Sequence, residues 1–227
     1  MLLHRFWMSD RSGMKDLVCT GIAALLALVL SASAFGNDRQ RGVKKIIVST
    51  KGNNCPIRLT DPYGGDLTAT RYVVRDPLYR ESGLGEMFIQ FVCLRSDDAE
   101  TVRRIVFAKY DKQLERWEPD FSALSSRDLA LVKPVTRRFA LRATNSSGVG
   151  VTQDAINGDP ETRDRSLGFC LRHPPVVLCG SVAAVARPYY SKVGLMPYVL
   201  TLLRSIEFVG EGNSETLPDR SPPTQRD

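Results

Sequence analysis

Histidine is almost absent from this chain, which holds only His4 and His173 in 227 residues. His4 precedes an apolar leader, so one imidazole remains beyond it and metal sites built on two or three histidines are excluded. A Ser-His-Asp or Cys-His arrangement would have only His173 as its base. That residue stands between Arg172 and Pro174, at an expected turn where an exposed side chain is the ordinary outcome. Other chemistry is missing too. There is no G-x-S-x-G elbow, no P-loop and, beyond the leader, no S-x-x-K. Gly83-Leu84-Gly85 and Gly148-Val149-Gly150 lack the third glycine and following helix of a dinucleotide site. These absences leave the sequence without a catalytic signature, and no cofactor or metal is expected.

Long apolar runs are scarce as well. The only one of note, Leu17–Leu30, precedes the small residues Ala32-Ser33-Ala34. A charged start, a short apolar run and an A-x-A close form the layout of a secretory signal peptide, whereas a membrane-spanning helix needs about 20 apolar residues. Residues 1–34 are therefore expected to be a signal removed after Ala34, leaving no stable membrane insertion. Met14-Lys15, directly ahead of the apolar run, makes a more compact start than Met1. Export by this route points to a periplasmic or secreted protein.

Of five cysteines, Cys19 leaves with the signal and Cys55, Cys93, Cys170 and Cys179 remain. None of the four forms a close C-x₂₋₄-C pair, so zinc is disfavoured. An even number in an exported chain reads as two disulfides with three possible connectivities. We favour Cys170–Cys179 and Cys55–Cys93. Loop closure gives about 2.7 kcal/mol for the short loop and about 3.9 kcal/mol for the long one.

The leader carries three of the 31 basic and two of the 25 acidic residues, so the remainder is still basic. Its charges are interspersed along the sequence, which does not indicate a nucleic-acid footprint, although an acidic partner or anionic surface would be attracted. Lys45–Ser49, Thr68–Val74 and Met87–Leu94 read as strands, the last with Ile89, Phe91 and Cys93 on one face. Gly52–Asn54 and Asp61–Asp66 read as loops. Asp97–Trp117 fits a helix by spacing and a strand pair by its Val, Ile, Phe and Tyr content. Both readings stay open. A short helix capped by Ser125 or Ser126 precedes Pro134, and Arg137–Thr144 and Gly148–Thr152 read as adjacent antiparallel strands. Arg165–Leu171 and Val176–Ala186 flank His173-Pro174-Pro175 as a hairpin. A helix opened by Pro197 then places Leu195, Val199, Leu202, Leu203 and Ile206 on one face. Residues 210–227 read as a disordered tail. The expected fold is α+β, one disulfide-bearing domain over residues 35–209 with a mainly antiparallel sheet and two or three helices.

Few residues invite a functional reading. Arg187-Pro188-Tyr189-Tyr190 is an aromatic and basic patch of the kind enriched in binding hot spots. Asp154, Asn157, Asp159 and Glu161 form a short acidic stretch with oxygen ligands for calcium, but it lacks the 12-residue loop spacing and has Arg163 and Arg165 beside it, so a turn explains it more readily. Asp111, Glu115 and Glu118 near Trp117 are the nearest thing to a carboxylate pair for hydrolysis, with an exposed charged face as the default reading. Asn145-Ser146-Ser147 matches a glycosylation sequon and reads as a turn. The closing module, a stapled hairpin, a helix and then Leu202-Leu203-Arg204-Ser205-Ile206-Glu207-Phe208, resembles the C-terminal end of Mog1/PsbP-like α/β/α sandwich domains. Such domains occur in small exported bacterial proteins, including immunity proteins against type VI secretion effectors. The resemblance covers roughly the last 45 residues, carries over no functional residue and implies a binding domain.

The leading expectation is a non-enzymatic periplasmic binding protein with a protein partner in the envelope, in one version an immunity protein against a secreted toxin. A hydrolase using acidic residues or His173, and an envelope assembly factor, are the alternatives. Thiol titration of the exported protein in denaturant should find no free cysteine, and intact mass should place its first residue at Phe35. A mass retaining Cys19 would show that the leader is kept.

Overall fold

The computed structural model describes residues 41–75, 84–190 and 194–210. The leader, the start at Met14, the breaks at Asp76-Pro77 and Ser82-Gly83, and the tail beyond Gly210 lie outside the described residues.

Alternation builds the first hairpin. In β1 (Gly42–Thr50) and β2 (Asn53–Asp61), Val48, Cys55, Ile57 and Leu59 turn inward, and Val43 and Ile47 turn outward. The strands pair antiparallel across Lys51-Gly52, both at positive φ, as a two-residue hairpin turn demands. Asn53 and Asn54, expected in a loop, instead open β2. Pro56 removes a backbone donor from this strand. It is accommodated because β12 (Glu207–Phe208) pairs only with Arg58 and Ile57, while Val209 N–H donates to the Pro56 carbonyl. These three strands form a small sheet in the order β1-β2-β12.

A larger sheet carries the rest. Its order is β3 (Asp66–Thr68), β4 (Arg71–Val74), β5 (Met87–Arg95), β11 (Val176–Ala186), β10 (Arg165–His173), β9 (Ser147–Asp154) and β8 (Thr136–Arg142). Every neighbouring pair is antiparallel. The expected strand Thr68–Val74 is in fact the hairpin β3–β4, turned at Ala69-Thr70. The chain adopts the α+β class with a mainly antiparallel sheet, and the described residues include three α-helices.

Each face of the large sheet buries its own core. On one face Ile89, Phe91, Phe169, Leu171 and Leu178 meet the small sheet and helix α3 (Met196–Arg204), which contributes Val199, Leu202 and Leu203. On the other, Cys170, Cys179, Val149 and Val151 lie under Val102 and Val106 of helix α1 (Ala99–Val106). A Cβ on Gly168 would stand 2.2 Å from the Ile105 carbonyl oxygen, so a missing side chain is what lets α1 settle onto β10. Cys55–Cys93 bolts the small sheet to β5 with Cα atoms 5.7 Å apart, and Cys170–Cys179 joins directly opposed residues of β10 and β11 at 4.0 Å.

Both readings of Asp97–Trp117 turn out partly right. The Asp98 side chain caps α1 by accepting from Thr101 N–H, and Phe107 in the left-handed conformation ends the helix. A two-stranded hairpin, β6 (Ala108–Asp111) and β7 (Arg116–Pro119), follows. Helix α2 (Ser126–Val132) is capped by Ser125, as expected.

A charge is buried where the two sheets meet. Asp61 is fully inaccessible, and its carboxylate accepts the N–H groups of Tyr63 (2.8 Å), Gly64 (3.0 Å) and Gly65 (2.8 Å). It also accepts the Tyr72 hydroxyl at 2.5 Å and pairs with Lys44 Nζ at 2.7 Å. The Tyr72 ring occupies the space a Cβ on Gly65 would need, 2.5 Å away, so this loop requires glycine there. Burial by itself would push the Asp61 carboxyl up. Hydrogen bonds from Lys44, Tyr72 and Tyr63 N–H, with the Lys44 charge, outweigh it and hold the group below its ordinary 3.8. A depressed folded-state value means that this stabilisation is complete above the unfolded value of 3.8 and is lost as pH falls through the folded one. Asp61→Asn should therefore cost about 3 kcal/mol at neutral pH. Its urea midpoint should also vary less than the parent's below pH 4, and equal acid sensitivity in both proteins would show that other groups govern the loss.

Candidate binding surface

The aromatic and basic patch forms where β11 ends. Tyr190 N–H donates to the Arg187 carbonyl at 3.0 Å, a tight turn that sets the two tyrosines side by side. Their rings meet edge to face at 5.1 Å, with Tyr189 58% and Tyr190 44% exposed. Arg187 Nε reaches Asp164 at 3.3 Å, and the neighbouring Arg165 and Asp154 form a forked pair with Nη2 to Oδ2 at 2.9 Å. Aromatic carbon is thus presented to solvent beside a partly neutralised guanidinium. This combination suits a protein surface, since tyrosine offers a large contact area at little cost in side-chain freedom and Arg187 is already held by Asp164.

The acidic candidates are occupied elsewhere. Asp154 is held by Arg165, and Asp159 caps the short turn Pro160–Thr162 through Glu161 N–H, while Asn157 and Glu161 stay exposed. The proposed calcium stretch therefore does not converge. Among the described residues no group of three His, Cys, Asp or Glu side chains is arranged to hold a metal. Asp111 accepts Leu114 and Gln113 N–H at the β6–β7 turn, and those bonds lower its carboxyl. Glu118 pairs with Arg116, and Glu115 sits in the turn at positive φ. Each carboxylate of this cluster thus lies within one small hairpin. Trp117 packs edge-on against Tyr110 at 5.5 Å, and the Arg172 guanidinium stacks 4.2 Å over the Tyr110 ring.

His173 is not the exposed turn residue expected. It closes β10 paired with Val176, and its ring lies flat on Phe208 at 4.6 Å with 6° between planes. The turn itself is Pro174-Pro175. Sequence spacing does not show this stack, because Phe208 is brought over by β12.

The chain's charge is also less dispersed than its order along the sequence implies. Arg137, Arg138 and Arg142 project from β8, all exposed and without an acidic partner among the described residues. Arg142 and Arg172 both lie opposite Ser147, so they share one face across three strands. A shallow groove of about 720 Å³ on the outer side of the small sheet is lined by Ile47, Pro56 and Phe208, with Arg58 held by Glu207 at 2.7 Å.

No family model matches the chain, and no curated protein matches it significantly. Among the described residues no helix is long and apolar enough to cross a membrane.

Replacing the ring that covers Phe208 should register in stability. His173→Ala is expected to cost about 1 kcal/mol in chemical denaturation. A midpoint unchanged within error would mean that the ring stack contributes nothing.

Proposed function

We propose that the protein is an exported binding protein of the bacterial envelope that acts by holding a protein partner. The carrying observation is the exposed Tyr189–Tyr190 pair beside Arg187, two large rings left in water at the rim of a doubly cross-linked scaffold. Scattered single apolar residues need no explanation, but two adjacent exposed aromatics flanked by an ion pair form the centre-and-rim layout of a recognition site. The signal-like leader and the two disulfides support export, since such bridges persist in oxidising compartments. An immunity protein that covers a toxin is the specific version that the C-terminal resemblance suggests.

Affinity capture from envelope extract tests this. The parent should retain one stoichiometric protein, and the double variant Tyr189→Ala, Tyr190→Ala should lose it with an unchanged melting temperature. An empty column for the parent, or equal retention by the variant, overturns the reading.

A further inference from the structure

The large sheet has an open edge at β8, and its chemistry is specific. β9 is the only strand paired with β8, and the Thr136 N–H is already taken by the Lys133 carbonyl, so about half of the backbone N–H and C=O groups between Arg137 and Arg142 face outward. Arg138 and Arg142 rise on one face and Arg137 on the other, none with an acidic partner among the described residues. Arg172, stacked on Tyr110, extends the first face inward along the Arg142–Ser147–Arg172 row. On the opposite face the half-buried Phe139 and buried Leu141 lie at the edge. Nearly every well-placed acid is committed elsewhere: Asp61 to Lys44, Asp120 to Arg103, Asp154 to Arg165, Asp164 to Arg187.

We infer that the β8 edge takes up an extended acidic segment of a protein partner as an added strand, acids toward Arg138 and Arg142 and apolar residues toward Phe139 and Leu141. The inference deepens the reading of this chain as a binding protein and rests on it. A second copy of this chain is disfavoured as the occupant, because pairing β8 with itself brings two sets of three arginines into one seam. A polyanion such as nucleic acid would use the guanidinium groups but leave the outward amides unpaired. A peptide uses both, supplying main-chain bonds for affinity and alternate side chains for selection.

The test uses the purified oxidised chain and synthetic probes. The first is an end-blocked peptide the length of the 7 residues of β8, alternating valine and glutamate. The others are the same peptide N-methylated at alternate amides, one with lysine replacing glutamate, and inorganic polyphosphate. Anisotropy should show saturable binding of the first peptide. Binding should weaken about tenfold in Arg138→Gln/Arg142→Gln and vanish when the amides that would face β8 are methylated. Hydrogen exchange should slow at outward amides of 137–142 when the peptide binds. No binding, or equal binding after methylation in either register, overturns the proposal. Polyphosphate binding with the same loss in the variant, and peptide binding without slowed exchange at β8, would also overturn it and leave a plain polyanion surface. The exposed arginines support no buried contact, and the methylated peptide leaves the protein unaltered, so misfolding cannot mimic the result. Failure of the peptide leaves the tyrosine surface standing, and an empty envelope column leaves the peptide result standing.

Discussion

One buried carboxylate fixes how the two sheets meet. Asp61 ends β2, yet its oxygens are satisfied by β1 through Lys44, by the following loop through three N–H groups, and by β4 through Tyr72. An ionised group without those partners would carry a desolvation cost of several kcal/mol, so the segments assemble in this arrangement or the charge is left exposed to penalty. Near the opposite end of the same strand, Cys55 is bonded to Cys93. β2 is thus pinned at both ends, by a covalent bond and by a charge, with Ile57 and Leu59 buried between. A slip by one residue would turn the carboxylate outward and the apolar pair with it.

A scaffold held this way leaves its surface free to specialise. The carboxylates considered for chemistry are engaged in local structure. Asp111 closes a turn, Asp154 grips Arg165, and Asp159 opens a short helical turn. Among the side chains that project into solvent are Tyr189 and Tyr190 at one place and the β8 arginines at another. Those groups recognise surfaces and charges. They also sit on strands or immediately after them, where little ordering remains to be done on binding.

Parts of this were legible from sequence for plain reasons. Cys170 and Cys179 flank a turn signal, so their opposition across a hairpin follows from spacing, and the face of α3 follows from helical periodicity around Pro197. β2 was obscured because Pro56 and two asparagines look like loop, and only the brevity of β12 makes the proline harmless. Asp97–Trp117 defied a single reading because it holds a helix and then a strand hairpin, divided by Phe107 in a left-handed conformation that no residue type there announces. Asp61 was hidden in Asp-Pro-Tyr-Gly-Gly-Asp, which reads as a turn and is one. The buried charge depends on Tyr72 and Lys44, which are distant along the chain. The arginines of β8 stand in an acid-free stretch of sequence, and only strand order shows that they line an edge.

The tyrosine pair and the start of β8 lie toward the same end of the large sheet, and Arg142 lies at the other. Ala186, where β11 ends, pairs with Arg165; Arg165 pairs with Asp154; and the next residue, Gln153, pairs with Thr136, where β8 begins. Three strand spacings, about 14 Å, separate those backbone ends. A protein interface of ordinary size buries about 800 Å² on each side, which is wide enough to cover both. Across that span run the Arg165–Asp154 and Arg187–Asp164 pairs, which fill the gap with neutralised charge. Beyond that gap the arginines of β8 have no acidic partner among the described residues, so an approaching acidic segment is drawn to the edge while the rings of Tyr189 and Tyr190 give it an apolar anchor. Attraction sets the orientation and the rings supply the contact area, and neither surface requires the scaffold to move.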